Sequence, residues 1–181
     1  MELQVRPWNR EDIADIVRYW KSLSDADAER MGCDLSRFPS TEEYSRLLQG
    51  QLALPLEKAD SFYSMWISDG RTIGFSSLKN IQFGVRGEMH LHIWETVQRG
   101  KGIGGTLFCL SAVDFYERFK LGTAICEPSA GNPFPNRMLQ KIGFPVIGSR
   151  FGRSSELSAD RDLNTYAISR EVAESYLAFP S

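Results

Sequence analysis

Residues 98–105, with the sequence QRGKGIGG, combine glycines with basic side chains directly before a predicted helix. Glycine has no Cβ atom, so an anion can approach the backbone N–H groups closely. The first turn of the following helix adds unpaired N–H donors and the positive end of the helix dipole. With Arg99 and Lys101 at its rim, this glycine loop is suited to binding a phosphate group.

A second group of polar residues lies just before the loop, in a predicted strand over residues 88–94. One face of this strand is apolar (Met89, Leu91, Ile93) and the other is mostly polar (Glu88, His90, His92, Trp94). Both histidines of the chain are on the polar face, where carboxylate and imidazole groups can serve in proton transfer. A structural role for these half-exposed residues is the alternative. A metal site from two histidines and a carboxylate lacks a fourth ligand, and we expect no metal.

Alternation, capping residues and turns predict the elements around these groups. The first half of the chain reads as strand 3–6, helix 10–23 capped by Asn9, an irregular polar segment 24–39, a helix opened by a capping box at residues 40–43, and strands 61–68 and 72–78 around an Asp69-Gly70 turn. The second half adds the strand over residues 88–94, a largely buried helix to about residue 119, strand 123–126, a helix from Asn132 to Gly143, and strands 144–148 and 163–169. The predicted fold class is mixed α/β.

Composition indicates one soluble domain over residues 1–181, with 42% hydrophobic and 24% charged residues. The net charge of −2 gives no global attraction to nucleic acid or to an anionic membrane. Three cysteines without a CxxC pair favour a reduced, cytoplasmic setting. No apolar run is long enough to span a bilayer. Together with the small net charge, this leads us to expect neither a membrane nor a nucleic acid as partner.

Two other phosphate-binding motifs fit the glycine loop less well. A Walker loop requires a spacing that is missing here. Gly100, Gly102 and Gly105 match the GxGxxG of dinucleotide-binding domains, which would make the protein an oxidoreductase. However, five residues separate Trp94 from Gly100, the preceding strand is half polar, and 76 residues after Gly105 are too few for such a sheet.

Arg99-x-x-Gly102-x-Gly104 resembles the (Arg/Gln)-x-x-Gly-x-(Gly/Ala) pyrophosphate loop of the GNAT superfamily of acyl-CoA N-acyltransferases. The similarity extends to the helix that begins at Asn132 and ends in residues 141–144, KIGF, so that it covers about residues 88–144 specifically. The segment from Asn132 to Phe144 looks like the branch of the family that acetylates protein N-termini. The resemblance implies a mostly antiparallel central sheet of six to seven strands flanked by about four helices.

The resemblance also implies acetyl-CoA as cosubstrate. Its pyrophosphate would be held by the backbone amides of the loop and by the first helical turn (Arg99, Gly100, Lys101, Gly102, Ile103, Gly104, Thr106). Trp94 matches the strand end whose backbone pairs with the pantetheine arm, and Asn132 the asparagine that contacts this arm. The alternative is that the loop is a tight turn and Asn132 a helix cap.

In this family general bases often lie on the strand before the loop, so we predict Glu88 or His90 as base and His92 as support. The amine would attack the thioester directly in a ternary complex. Many members have a tyrosine acid five residues before the phenylalanine of Gly-Phe, where this chain has Leu139. That departure motivates the alternative of a catalytically silent CoA-binding sensor. Glu127 is a weaker alternative carboxylate, equally suited to pairing with Arg137 or a backbone group.

The family shapes its acceptor site with segments that correspond here to residues 19–44 and 149–162. Four aromatic residues of the first segment are candidates for its wall or for the core (Tyr19, Trp20, Phe38, Tyr44). Four acids are candidates for attracting an amine or for a solvated loop (Asp25, Asp27, Glu29, Asp34). The expected acceptor is a primary amine of a small molecule or a peptide N-terminus, and a homodimer is a further expectation.

Overall fold

The computed structural model describes residues 1–94 and 102–179. Its strands are β1 Leu3–Pro7, β2 Phe62–Ser68, β3 Arg71–Gln82, β4 Arg86–Ile93, β5 Thr123–Cys126, β6 Val146–Gly152 and β7 Arg161–Ile168. Its helices are α1 Asp12–Lys21, α2 Asp25–Met31, α3 Thr41–Leu52, α4 Ile103–Phe119, α5 Pro133–Ile142 and α6 Arg170–Ala178. The predicted mixed α/β class is confirmed.

The seven strands form one sheet in the order β1-β2-β3-β4-β5-β7-β6, in which β4 and β5 run parallel and the other neighbours antiparallel. The β4–β5 pairing ends at Glu88 and Ile125, whereas β4 stays paired with β3 as far as Ile93. The two parallel strands therefore separate beyond Glu88. A dinucleotide-binding domain has a mostly parallel, doubly wound sheet instead, so the oxidoreductase alternative is wrong.

The two faces of the sheet are covered differently. On one face, α4 packs beside α6, and Ser111 of α4 accepts a hydrogen bond of 2.9 Å from the indole of the fully buried Trp66. On the other, Tyr19 of α1 packs edge-on against Phe75 at 5.9 Å between ring centroids. The polar side of β4 lies on this second face, because His92 also contacts Phe75.

Two helices lie outside the predicted set. The segment 24–39, expected to be irregular, contains α2 and a short 3-10 turn at Leu35–Arg37. Ser24 caps α2 by accepting a hydrogen bond from the Asp27 amide, and Gly32 ends it at φ 85°. Helix α6 follows the last strand, and its N-cap is Ser169. The mostly antiparallel sheet of seven strands is as expected, but six helices flank it among the described residues rather than about four.

Other boundaries moved by a few residues. Helix α1 begins at Asp12, whose carboxylate accepts two hydrogen bonds of 2.7 Å from Arg6. Asn9 accepts a hydrogen bond from the Glu11 amide but is not the N-cap. The Asp69-Gly70 turn is confirmed, with φ angles of 47° and 76°. No described helix has the length and apolar character needed to cross a bilayer.

Candidate active site

A cleft of about 1600 Å³ opens where β4 and β5 separate. All three predicted catalytic residues line it, and so do three of the predicted cofactor-binding residues (Glu88, His90, His92; Gly102, Gly104, Asn132). Arg99, Gly100 and Lys101 are outside the described residues. The structure therefore brings the polar face of β4 and the start of α4 together in one cavity, large enough for an extended ligand.

The start of α4 is open toward this cleft. Gly102 is its N-cap, with φ 78°, and a Cβ atom there would have no neighbour within 4 Å. A Cβ on Gly104 would lie 3.5 Å from the Met138 sulfur, which is ordinary contact. No side chain of the described residues caps this helix start, and first-turn N–H groups of an uncapped helix can bind an external acceptor. Such an acceptor is most stable at this helix end if it is anionic.

Three predicted cofactor-binding residues that the structure describes do not line the cleft. The Ile103 side chain is buried in the core, and Thr106 lies in the first turn of α4. Trp94 donates its amide hydrogen to the Ile73 carbonyl at 3.0 Å and its indole N–H to the Thr72 carbonyl at 3.2 Å. Contacts of these three residues with a cofactor stay predictions. Because the Ile103 side chain is buried, its predicted contact is made by its backbone amide.

Helix α5 begins on the opposite side of the cleft. Asn132 caps it by accepting a hydrogen bond from the Phe134 amide at 3.3 Å, and its side chain is buried. Leu139, at the position of the tyrosine acid in many family members, is fully buried. An aliphatic side chain in the core cannot donate a proton, so this position supplies no acid.

Glu88 and His90 face the cleft from neighbouring positions of the polar β4 face, paired with Lys79 and Ser77 of β3. The Glu88 carboxylate accepts a hydrogen bond from the Asn80 amide group at 3.0 Å. His90 Nε2 is buried and has no hydrogen-bond partner among the described residues. Burial and the nearby Lys79 cation lower the pKa of His90 to about 4, so its imidazole is neutral at pH 7.

His92 is held by aromatic side chains. Its Nδ1 lies 3.2 Å from the Tyr19 hydroxyl, and its ring packs against Trp20 and Phe75 at 4.6 and 5.0 Å between centroids. This packing fixes the ring and suits a supporting role. Among the described residues, no group of three His, Cys, Asp or Glu side chains is arranged to hold a metal ion.

Glu127, at the end of β5, is bound by Arg150 and Thr165 and not by Arg137. Arg150 Nε lies 2.9 Å from Oε1, Arg150 Nη2 also contacts the carboxylate, and the Thr165 hydroxyl donates at 2.7 Å. Burial raises the pKa of Glu127, but these hydrogen bonds outweigh it and hold the pKa below its usual value. Glu127 is therefore an ionised, structurally engaged carboxylate in the cleft wall.

Lys79 is a cleft residue that the sequence analysis missed. Its Nζ lies 2.8 Å from the Tyr63 hydroxyl and 4.6 Å from the centre of the same ring. The predicted strand stopped at Leu78, whereas β3 continues to Gln82 and places Lys79 opposite Glu88. The alternation of Phe75, Ser77 and Lys79 would have indicated this placement, had the strand been extended.

The two segments expected to shape the acceptor site contact each other. The loop after β6 meets the segment after α2 through backbone hydrogen bonds from Asp34 to Leu157, 2.8 Å, and from Ala159 to Gly32, 2.9 Å. Tyr19, Trp20 and Tyr44 line the cleft as well as packing in or against the core. Of the four acids, Asp27 lines the cleft and is paired with Arg30, and Asp34 is paired with Arg37.

The model of the acetyltransferase (GNAT) domain family matches residues 2–145. The chain therefore belongs to this family and is an acetyl-CoA-dependent acyltransferase. No curated protein sequence matches the chain.

Solved structures share the fold at low sequence identity. Spermidine N-acetyltransferase from Vibrio cholerae, in a complex with CoA and spermine, is 17% identical with a TM-score of 0.73, over 95% of this chain and 98% of that one. RimL, a ribosomal L7/L12 α-N-protein acetyltransferase in complex with CoA, is 16% identical with a TM-score of 0.71, over 92% and 93% of the two chains. At such identities the likeness concerns the fold.

Proposed function

We propose that this protein transfers an acetyl group from acetyl-CoA to a primary amine of a small molecule or of a protein N-terminus. The observation that carries the proposal is the separation of β4 from β5 beyond Glu88, which opens the cleft between an anion-suited helix start and a polar strand face. The relatives of similar fold are named for a polyamine and for a ribosomal protein, and both acceptors offer primary amines.

The α4 start would hold the pyrophosphate through its first-turn amides, continuing the glycine loop 98–105, and Asn132 would face the CoA arm. On β4, the amide of Trp94 points toward β3. Backbone groups alternate in direction along a strand, so those of Leu91 point the other way, into the gap left by β5. Leu91, three residues before the predicted Trp94, is thus suited to pairing with the pantetheine arm.

In the reaction, the amine nitrogen attacks the thioester carbonyl carbon, a C–N bond forms, the C–S bond breaks, and the electron pair leaves with the thiolate. The nitrogen must lose its proton, which Glu88 or neutral His90 would accept, directly or through water. His92 positions this face of the strand. Because position 139 is leucine, the thiolate would leave unprotonated or take its proton from water.

The first experiment is a calorimetric titration with acetyl-CoA, followed by a thiol-release assay with a panel of amines. We expect saturable binding and amine-dependent thiol release. Gly104→Asp should abolish binding, since a carboxylate at a helix N-terminus is compatible with the helix but repels pyrophosphate. Gly104→Ala, whose Cβ fits in ordinary contact, is the matched control. Binding without thiol release for any amine would favour a CoA sensor, and no binding would contradict the proposal.

We also propose a homodimer through the free edge of the sheet. Strand β6 is one of the two edge strands of the described sheet, and its Val146, Ile147 and Phe151 are 49%, 61% and 72% exposed. Exposed apolar side chains on a strand with one unpaired side favour association. Light scattering should give twice the chain mass for the wild type and the monomer mass for Phe151→Glu. A monomeric wild type would contradict this assignment.

A further inference from the structure

Lys79 is a half-buried cation without a carboxylate partner. Its hydrogen bond goes to the Tyr63 phenol, and it forms no ion pair within 4.0 Å with a carboxylate of the described residues. Asp60 and Glu156 act on it at longer range. Burial lowers the pKa of Lys79, which reflects the cost of removing an ammonium group from water. An anion bound beside it would offset that cost.

The position of Lys79 places its charge near the predicted site of acyl transfer. Lys79 lies opposite Glu88 in the register of β3 and β4. Glu88 is two residues along β4 from His90, a backbone distance of about 7 Å at the rise of a strand. The register of β3 shifts between Lys79 and Gln82, and a shift of this kind redirects the neighbouring side chains. Lys79 therefore lines the cleft beside Glu88, on the strand face that carries His90.

Two of the acids that line the cleft are already paired with cations, and Glu88 is hydrogen-bonded to the Asn80 amide group. Asp27 is paired with Arg30, and Glu127 with Arg150. The Trp20 indole N–H is buried behind the cleft wall and has no hydrogen-bond partner among the described residues. The Tyr44 and Tyr63 phenols stay protonated at neutral pH, since burial raises both pKa values. A group that accepts hydrogen bonds fits such surroundings better than a second ammonium.

We propose that Lys79 binds a carboxylate of the acceptor. The acceptor is then a primary amine that carries a carboxylate a few bonds away, as in an amino acid or a peptide with an acidic side chain near its N-terminus. A polyamine would instead bring a second cation to Lys79. This inference rests on the proposed function and specifies its substrate class.

The test compares acceptors that differ in charge but little in size. The first series is γ-aminobutyrate, butylamine and putrescine, which have four carbon atoms each. The second is alanyl-glutamate amide, alanyl-glutamine amide and alanyl-lysine amide, which share one N-terminal amine. Charge-assisted hydrogen bonds lead us to expect kcat/KM roughly 10- to 100-fold higher for the carboxylate member of at least one series. The series that responds distinguishes a free amino acid from a peptide.

Variants of Lys79 assign the preference to this residue. Lys79→Met removes the charge at similar length and should abolish the preference by lowering kcat/KM for carboxylate acceptors relative to butylamine, mainly through KM; any change in the pKa of the neighbouring His90 affects all acceptors alike. Lys79→Arg should retain part of it. Lys58→Met, at an exposed position outside the cleft, is the matched control. An equal loss of activity toward butylamine and toward the carboxylate acceptors would leave the preference intact and would contradict the proposal.

Two further outcomes separate this inference from the proposed function. Equal or better acetylation of butylamine and putrescine would overturn the role of Lys79 and leave the acetyltransferase intact. If no amine is acetylated, calorimetry of the CoA-bound protein with γ-aminobutyrate and with alanyl-glutamate amide still decides. Binding of either one that Lys79→Met abolishes would support the carboxylate site, and binding of neither would overturn it.

Discussion

The guanidinium of Arg150 on β6 binds the carboxylate of Glu127 at the end of β5, with Nε 2.9 Å from Oε1. The Glu127 side chain is 6% exposed and that of Arg150 is 44% exposed, so the pair closes one wall of the cleft from its solvent side. His90, on the facing strand, interacts electrostatically with the same carboxylate. Arg150 therefore stabilises a buried charge that β5 brings into the candidate active site.

Removing Arg150 should destabilise the fold at neutral pH. Arg150→Met leaves Glu127 buried with the Thr165 hydroxyl as its remaining hydrogen-bond donor, and we expect a loss of about 1–3 kcal/mol, reduced from that of a fully buried pair by the exposure of Arg150. The wild-type pKa of Glu127 lies below its usual value, so this stabilisation is present above the unfolded pKa of about 4.3. It is lost as pH falls through the folded pKa.

Urea unfolding of the two proteins at pH 7 and at successively lower pH measures this difference. The difference in free energy of unfolding between the wild type and Arg150→Met should be largest at pH 7 and decrease in acid. The free energy of unfolding of Arg150→Lys should lie between those of the two proteins. Equal free energies of unfolding at pH 7 would show that the ion pair contributes nothing.

His90 should titrate far from an ordinary histidine. Its pKa in the folded state is about 4, against about 6.5 when unfolded, so the unfolded state binds the proton first as pH falls. Neutral His90 therefore contributes stability that is fully present above about pH 6.5 and is lost toward pH 4. The free energy of unfolding of the wild type should decrease more steeply across this range than that of His90→Gln. A histidine NMR titration that gives a midpoint near 6.5 would contradict the buried, unpartnered environment.

How far the sequence predicted the structure depended on the element. The buried helix α4, the Asp69-Gly70 turn and the cap at Asn132 followed from local patterns that tertiary contacts reinforce. Helix α2 was missed because its seven residues are mostly polar and bury little besides Ala28, although Ser24 and Gly32 carried capping signals. Helix α6 was missed because Ser169 looked like the end of a strand rather than an N-cap.

The candidate site was predictable where one strand carries it and unpredictable where separate strands meet. The alternation of β4 placed Glu88, His90 and His92 on one face, and the cleft confirms that they lie together. The binding of Glu127 by Arg150 depends on β7 lying between β5 and β6, which the sequence does not encode locally. Lys79 depended on the true length of β3.

Two glycines should respond oppositely to alanine. A Cβ on Gly74 would lie 2.2 Å from the His92 carbonyl oxygen, which belongs to the paired backbone of β4 and cannot move aside cheaply. Gly74→Ala should cost about 3 kcal/mol or more and lower turnover, because it displaces the strand that carries the candidate base. Gly50 is exposed in α3 with nothing within 4 Å, so Gly50→Ala should raise stability by about 0.5–1 kcal/mol. Thermal unfolding of both variants measures the contrast, and similar effects at the two positions would refute it.

The assignment of the base rests on Glu88 and His90, and single replacements distinguish them. Glu88→Gln and His90→Gln keep polar side chains of similar size but remove the carboxylate or the imidazole. The variant that lacks the base should lose roughly 100-fold or more in kcat, the usual contribution of a general base. Acetyl-CoA affinity should be unchanged, because neither side chain belongs to the α4 end of the cleft. Glu57→Gln, on an exposed turn outside the cleft, is the control for Glu88→Gln. If both variants keep wild-type kcat, neither residue accepts the proton, and the amine must lose it to water alone.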